Sequence, residues 1–168
     1  MANAGGDNLV VCGAEVHYKV PATGSNQVLT PLTPCRFFDS RPNNGGTGKF
    51  SANEIRTVWT TGDTTMQGGV GNCGIPSYAS ALQLSFVVVE PDGTGSLKLW
   101  APNVAEPQGV LAFTTSSTFW NGSGVVPIAA EPGEQTGQPR LRIKTNGSGA
   151  HLYLAVTGYY SSVSNMGN

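Results

Sequence analysis

Apolar and polar residues alternate along this chain with a period of two. In 82–89, Leu82, Leu84, Phe86 and Val88 fall on one face. In 97–100 the leucines Leu97 and Leu99 share a face and Lys98 opposes them. Leu141 and Ile143 alternate with Arg140, Arg142 and Lys144, and Leu152, Leu154 and Val156 line up in the next run. Strict alternation marks half-buried antiparallel strands, and the β-branched and aromatic content fits them. Pro91-Asp92-Gly93, Asn121-Gly122 and Asn146-Gly147 read as turns. The stretch 146–149 is expected to close a hairpin between strands at 140–145 and 151–160. No apolar 3-4-3 stripe free of Gly and Pro predicts a helix. The expected fold is all-β: a single-domain antiparallel β-sandwich, jelly-roll-like, of about 8–10 short strands. Residues 31–168 would form it. Residues 1–30 would be an extension whose run 14–20 alternates, with Val16, Tyr18 and Val20 on one face. That extra strand either completes its own sheet or adds to a neighbour's sheet edge.

Composition narrows the function. In 168 residues there are 9 Lys+Arg and 10 Asp+Glu, a net charge of -1 and 11% charged residues. Without a basic excess to neutralise phosphates, nucleic acid is not an expected partner. No stretch approaches the ~20 apolar residues of a membrane-spanning helix, and the N-terminus has no leader pattern. Gly-rich loops at 40–49 and 61–74 are expected to move unless pinned.

Three cysteines, Cys12, Cys35 and Cys73, leave one over after any pairing. With only two histidines and no CxxC spacing, zinc is not expected. A Cys35–Cys73 disulfide is expected in an oxidising compartment; the alternative is three buried, inert thiols. Cys12 would then be free to cross-link subunits.

Catalytic chemistry has no signature here. Asp39 and Arg41, two apart, share a strand face and read as a structural ion pair rather than a ligand site. Carboxylate pairs such as Asp39 with Glu54, or Glu90 with Asp92, lack the cleft and raised pKa a glycosidase needs. Gly122-Ser123-Gly124 is too short for a nucleophile elbow. Asp63, Asp92 and Glu131 do not form a calcium loop. No enzyme activity, cofactor or metal is expected. Of the aromatics Trp100, Tyr153, Phe119 and Trp120, alternation places Trp100 and Tyr153 opposite the core face; outward aromatics, with Trp100, Tyr153 and Trp120 the candidates, would stack on sugars or anchor an interface, unless the second sheet or a loop covers them.

Three segments in order carry a resemblance: Pro34-Cys35-Arg36-Phe37-Phe38-Asp39-Ser40-Arg41; Cys73-Gly74-Ile75-Pro76 running into the strand 81–89; and the closing run Ala150 to Tyr160. They resemble β-rich modules of secreted and surface proteins of actinobacteria and other bacteria, which open with Pro-x-Arg-x-x-Asp-Thr-Arg and close in Gly-Tyr-Phe. Residues 95–102 and Val125-Val126-Pro127-Ile128 are similar to strands of the same modules. Ser40 replaces the usual Thr, and Tyr160 the usual Phe. The resemblance spans about residues 31–160 and implies an extracellular, cell-surface location more than an activity.

The expected function is therefore a non-enzymatic extracellular structural or adhesive subunit that associates with itself into a filament or surface assembly. The alternatives are a carbohydrate-binding, lectin-like module that takes glycans, and a trimeric head domain of the C1q/tumour-necrosis-factor type.

Overall fold

The computed structural model describes residues 8–11, 14–17, 26–114 and 118–163. Two antiparallel sheets pack face to face as a β-sandwich. Strands β3 (Gln27–Asp39), β5 (Ala81–Val89), β8 (Phe119–Pro127) and β11 (His151–Ser162) form a four-stranded sheet in the order β3-β11-β5-β8. The opposing sheet runs β4-β10-β6-β7, from β4 (Ile55–Trp59), β10 (Pro139–Asn146), β6 (Gly95–Trp100) and β7 (Leu111–Phe113). Short β9 (Ala129–Ala130) pairs with the start of β10. Strands joined in sequence occupy equivalent places in the two sheets: β3 and β4, β11 and β10, β5 and β6, β8 and β7. That order is a jelly roll.

Period two builds this core directly. Leu82, Leu84, Phe86 and Val88 from β5 meet Leu97 and Leu99 from β6, Leu141 and Ile143 from β10, and Leu152, Leu154 and Val156 from β11. All are buried. Among the described residues the helical elements are single 3-10 turns, Pro42–Asn44 and Thr65–Gln67, and Val163 has the same conformation.

Three local expectations change. β10 and β11 do not form a hairpin: they lie in opposite sheets, and 146–150 is the corner between them, with Gly147 at φ 86°. Alternation could not separate the two, because a corner and a hairpin use the same turn residues. Asn121-Gly122 is not a turn but the middle of β8. Gly122 stands there because a Cβ would come within 2.6 Å of the buried Phe86 ring. The sandwich begins at Gln27, which pairs with Ser162, rather than at 31. Before it, β1 (Asn8–Val11) and β2 (Ala14–His17) form a two-stranded hairpin that, among the described residues, pairs with neither sandwich sheet.

Candidate interaction surface

The corner at the end of the opening motif is a clamp. Asp39 is wholly buried at the end of β3. Its carboxylate accepts the Arg41 backbone N–H at 3.0 Å, the Arg41 guanidinium at 3.0 and 2.8 Å, and the Asn44 amide at 2.8 Å. Arg36 stands 3.6 Å away. Burial alone would raise the Asp39 carboxyl. The hydrogen bonds and positive charge of Arg41, with the Asn44 amide, outweigh it and hold the group below the usual Asp range. Beside it, Ser40 Oγ lies 3.2 Å from His151 Nδ1 and accepts the Leu152 N–H at 2.9 Å. Ser40 is fully buried, so this pair fastens the loop after β3 to β11.

Cys35 and Cys73 form a disulfide with Cα atoms 5.6 Å apart, joining β3 to the loop that leads into β5. Cys12, Tyr18 and Val20 lie outside the described residues, while Val16 lies in β2.

The aromatic platform expected from alternation does not form. Trp100 does share the outer face of its sheet with Lys98, but it is only 4% exposed. The following loop turns back over this face, where Glu106 pairs with Lys98 at 2.6 Å and Lys144 at 3.0 Å. Trp120 points inward with Val126; its indole N–H donates to the Thr114 carbonyl at 2.9 Å, and its ring packs on the core. Tyr153 stays on the outer face of the four-stranded sheet. With Arg41, Val87, Val89 and Phe119 it lines a shallow pocket of about 340 Å³.

The two outer faces differ in chemistry. On the β4-β10-β6 face, Glu106, Glu131 and Glu134 pair with Lys98, Lys144, Arg142 and Arg140. On the other side, β5, β8 and β11 contain no Lys, Arg, Asp or Glu at all. Phe119 and Val125 stand on the outer face of β8, 56% and 50% exposed.

The sheet edges differ as well. β3 is interrupted by Pro31 and Pro34, and its carbonyls at Arg36 and Phe37 accept hydrogen bonds from Val70 and Gln67. At the end of β4, the buried Gln67 amide bonds both the N–H and the carbonyl of Trp59, at 3.0 and 2.7 Å. β7 is three residues long. Among the described residues, β8 has no such guard. The bonds Glu90 N–H to Thr118 O and Ile128 N–H to Ser80 O bracket its ladder with β5. The alternation of an antiparallel ladder then directs the backbone groups of Trp120, Gly122, Gly124 and Val126 toward β5. Those of Phe119, Asn121, Ser123 and Val125 point outward, to an edge that no described strand occupies. Uncharged edges of this length are templates for another strand. Sequence reading located the strand's apolar end but missed the edge, because Asn121-Gly122 read as a turn.

A second feature is a groove of about 830 Å³ beside β4, lined by Glu54, Arg56, Trp59, Asp63, Met66 and Gln138 among others. The Arg140 guanidinium stacks 3.4 Å from the centre of the Trp59 ring. Arg56 is committed to the loop carbonyls of Gly48 and Lys49. Neither Trp59 nor Gln67 carried a motif that singled it out in the sequence.

Among the described residues, no helix is long and apolar enough to cross a membrane, and no cluster of His, Cys, Asp and Glu is set to hold a metal ion. Comparison with known families, with curated proteins and with solved structures found no match.

Proposed function

We propose that this protein is an extracellular, non-enzymatic structural or adhesive subunit that associates with copies of itself. The open edge of β8 carries the reading. Nine residues without a charge, with outward backbone donors and acceptors, adjoin the charge-free strands β5 and β11. Soluble folds ordinarily guard such an edge with charge, proline or a covering segment. The Cys35–Cys73 disulfide supports an oxidising compartment, as does the resemblance of the opening and closing motifs to secreted surface modules.

Sedimentation velocity over a range of concentrations tests it. The wild type is expected to grow in mass with concentration. Val125→Lys places a lysine on the exposed side of the edge strand, the kind of guard soluble sheets use against edge pairing, and is expected to raise the concentration for half-assembly about tenfold, the equivalent of roughly 1.4 kcal/mol. A single monomeric boundary at every concentration would contradict the reading, and a fixed trimer would favour the closed head domain.

The groove at Trp59 favours a second reading, glycan binding. An aromatic ring 36% exposed stands among polar side chains there, an arrangement suited to stacking on a sugar. The platform would be Trp59 rather than Trp100. A glycan array is the direct check: hits lost in Trp59→Ala support it, and hits insensitive to that change dispose of it.

A further inference from the structure

The β1–β2 hairpin and the β8 edge are complementary loose ends. A two-stranded hairpin is marginal in water on its own and needs a third strand or a packed face. Here β1 pairs with β2 and with neither sandwich sheet. Meanwhile β8 presents the outward N–H and C=O groups of Phe119, Asn121, Ser123 and Val125 to no described strand.

We infer that the β1–β2 hairpin of one copy adds to the β8 edge of a second copy, extending its four-stranded sheet. This rests on the self-association reading above and names its donor and acceptor. The hairpin joins its own sandwich at Gln27, the start of β3. β3 and β8 are opposite edges of one sheet, in the order β3-β11-β5-β8. Residues 18–26 link the hairpin to β3 and span up to roughly 30 Å when extended, enough to carry it to a neighbour. β1 brings Asn8-Leu9-Val10-Val11, which is uncharged like β8. Its four residues pair with about half the length of the edge, at roughly 3.4 Å per residue. Main-chain hydrogen bonds would give the affinity, as in other strand additions.

Donor and acceptor are different surfaces at opposite edges of the subunit. The contact is therefore heterologous, and repetition makes an open chain of subunits unless the rotation happens to close. The uncharged outer face of β5 and β11 flanks the junction.

The test uses the full chain with Cys12→Ser, so that the Cys35–Cys73 bridge is the sole native disulfide. Single cysteines at Leu9 or Val10 of β1, one for each strand face, are combined with one at Asn121, Ser123 or Val125, and each assembled sample is oxidised. At least one combination is expected to give a ladder of covalent dimers, trimers and higher species on a non-reducing gel. A synthetic peptide of residues 6–20, added to the wild type, is expected to occupy β8 edges and shorten the assemblies. Assemblies that form normally, give no hairpin-to-β8 link and ignore the peptide would overturn this inference and leave self-association standing. Links confined to monomers would place the hairpin on its own β8 and overturn it too. A chain that never assembles overturns both.

Discussion

Asp39 holds the corner at which β3 leaves its sheet, and removing its charge has a calculable sign. Asp39→Asn leaves the Arg41 fork and the Asn44 amide facing a group that can no longer satisfy them all. Arg41 is 38% exposed, so the cost is that of the lost charged hydrogen bonds, about 1–3 kcal/mol, and a chemical denaturation midpoint should fall. The folded carboxyl sits below the ordinary Asp range. Its contribution is therefore complete above the unfolded value and is lost as pH falls through the lower folded value. The acid limb of stability in that range should shrink in Asp39→Asn, measured against wild type by melts across pH. His151 adds a second limb. Burial, followed by the charge of Lys49, depresses its pKa, so the unfolded chain takes the proton first. Stability is expected to decline as pH drops below about 6.5, and His151→Gln should flatten that decline. The clamp was legible because Asp39 and Arg41 are neighbours in sequence. Its partners Asn44, Ser40 and His151 were not, since the last of these arrives from a distant strand. Gly122 misled for the opposite reason: its neighbour is the Phe86 ring, and that contact exists only once the sheet forms. Gly122→Ala should cost about 1–3 kcal/mol by overpacking, read as a lower melting temperature; an unchanged melt would refute the account of that glycine.

At the scale of elements, alternation reported which residues face the core, and every leucine it assigned inward on β5, β6, β10 and β11 is buried. It could not report what covers the other side. Trp100 and Lys98 share an outer face, and the loop bearing Glu106 closes over it from further along the chain. Nor could it report which strand a turn leads to. The corner at 146–150 passes the chain from one sheet to the other, so β10 and β11 are neighbours in sequence and strangers in pairing. The disulfide is the covalent tie between elements. Cys35 and Cys73 are 38 residues apart, and chain entropy makes such a bridge worth about 4 kcal/mol. Denaturant unfolding of Cys35→Ser/Cys73→Ser should show a loss of about that size. A loss below 1 kcal/mol would mean that the loop from β4 to β5 is held by its own hydrogen bonds, among them those of Thr64 and Gln67.

The whole molecule presents one outer face rich in ion pairs and another on which β5, β8 and β11 carry no charged residue, and its open edge lies on the second. Low charge in the composition hinted at a covered surface, but the placement of that surface needed the jelly-roll order, which puts β8 at an edge rather than in the middle. The N-terminal strand expected from Val16 is half of a hairpin, and its lack of a partner sheet emerged only with the topology. The central claim is that copies of this chain join through the β8 edge. Negative-stain electron microscopy of the purified wild type beside Val125→Lys, at matched high concentration, tests it most directly. The account predicts extended assemblies of the wild type and dispersed single particles of a folded Val125→Lys. Dispersed wild-type particles, or identical assemblies of both proteins, would contradict it.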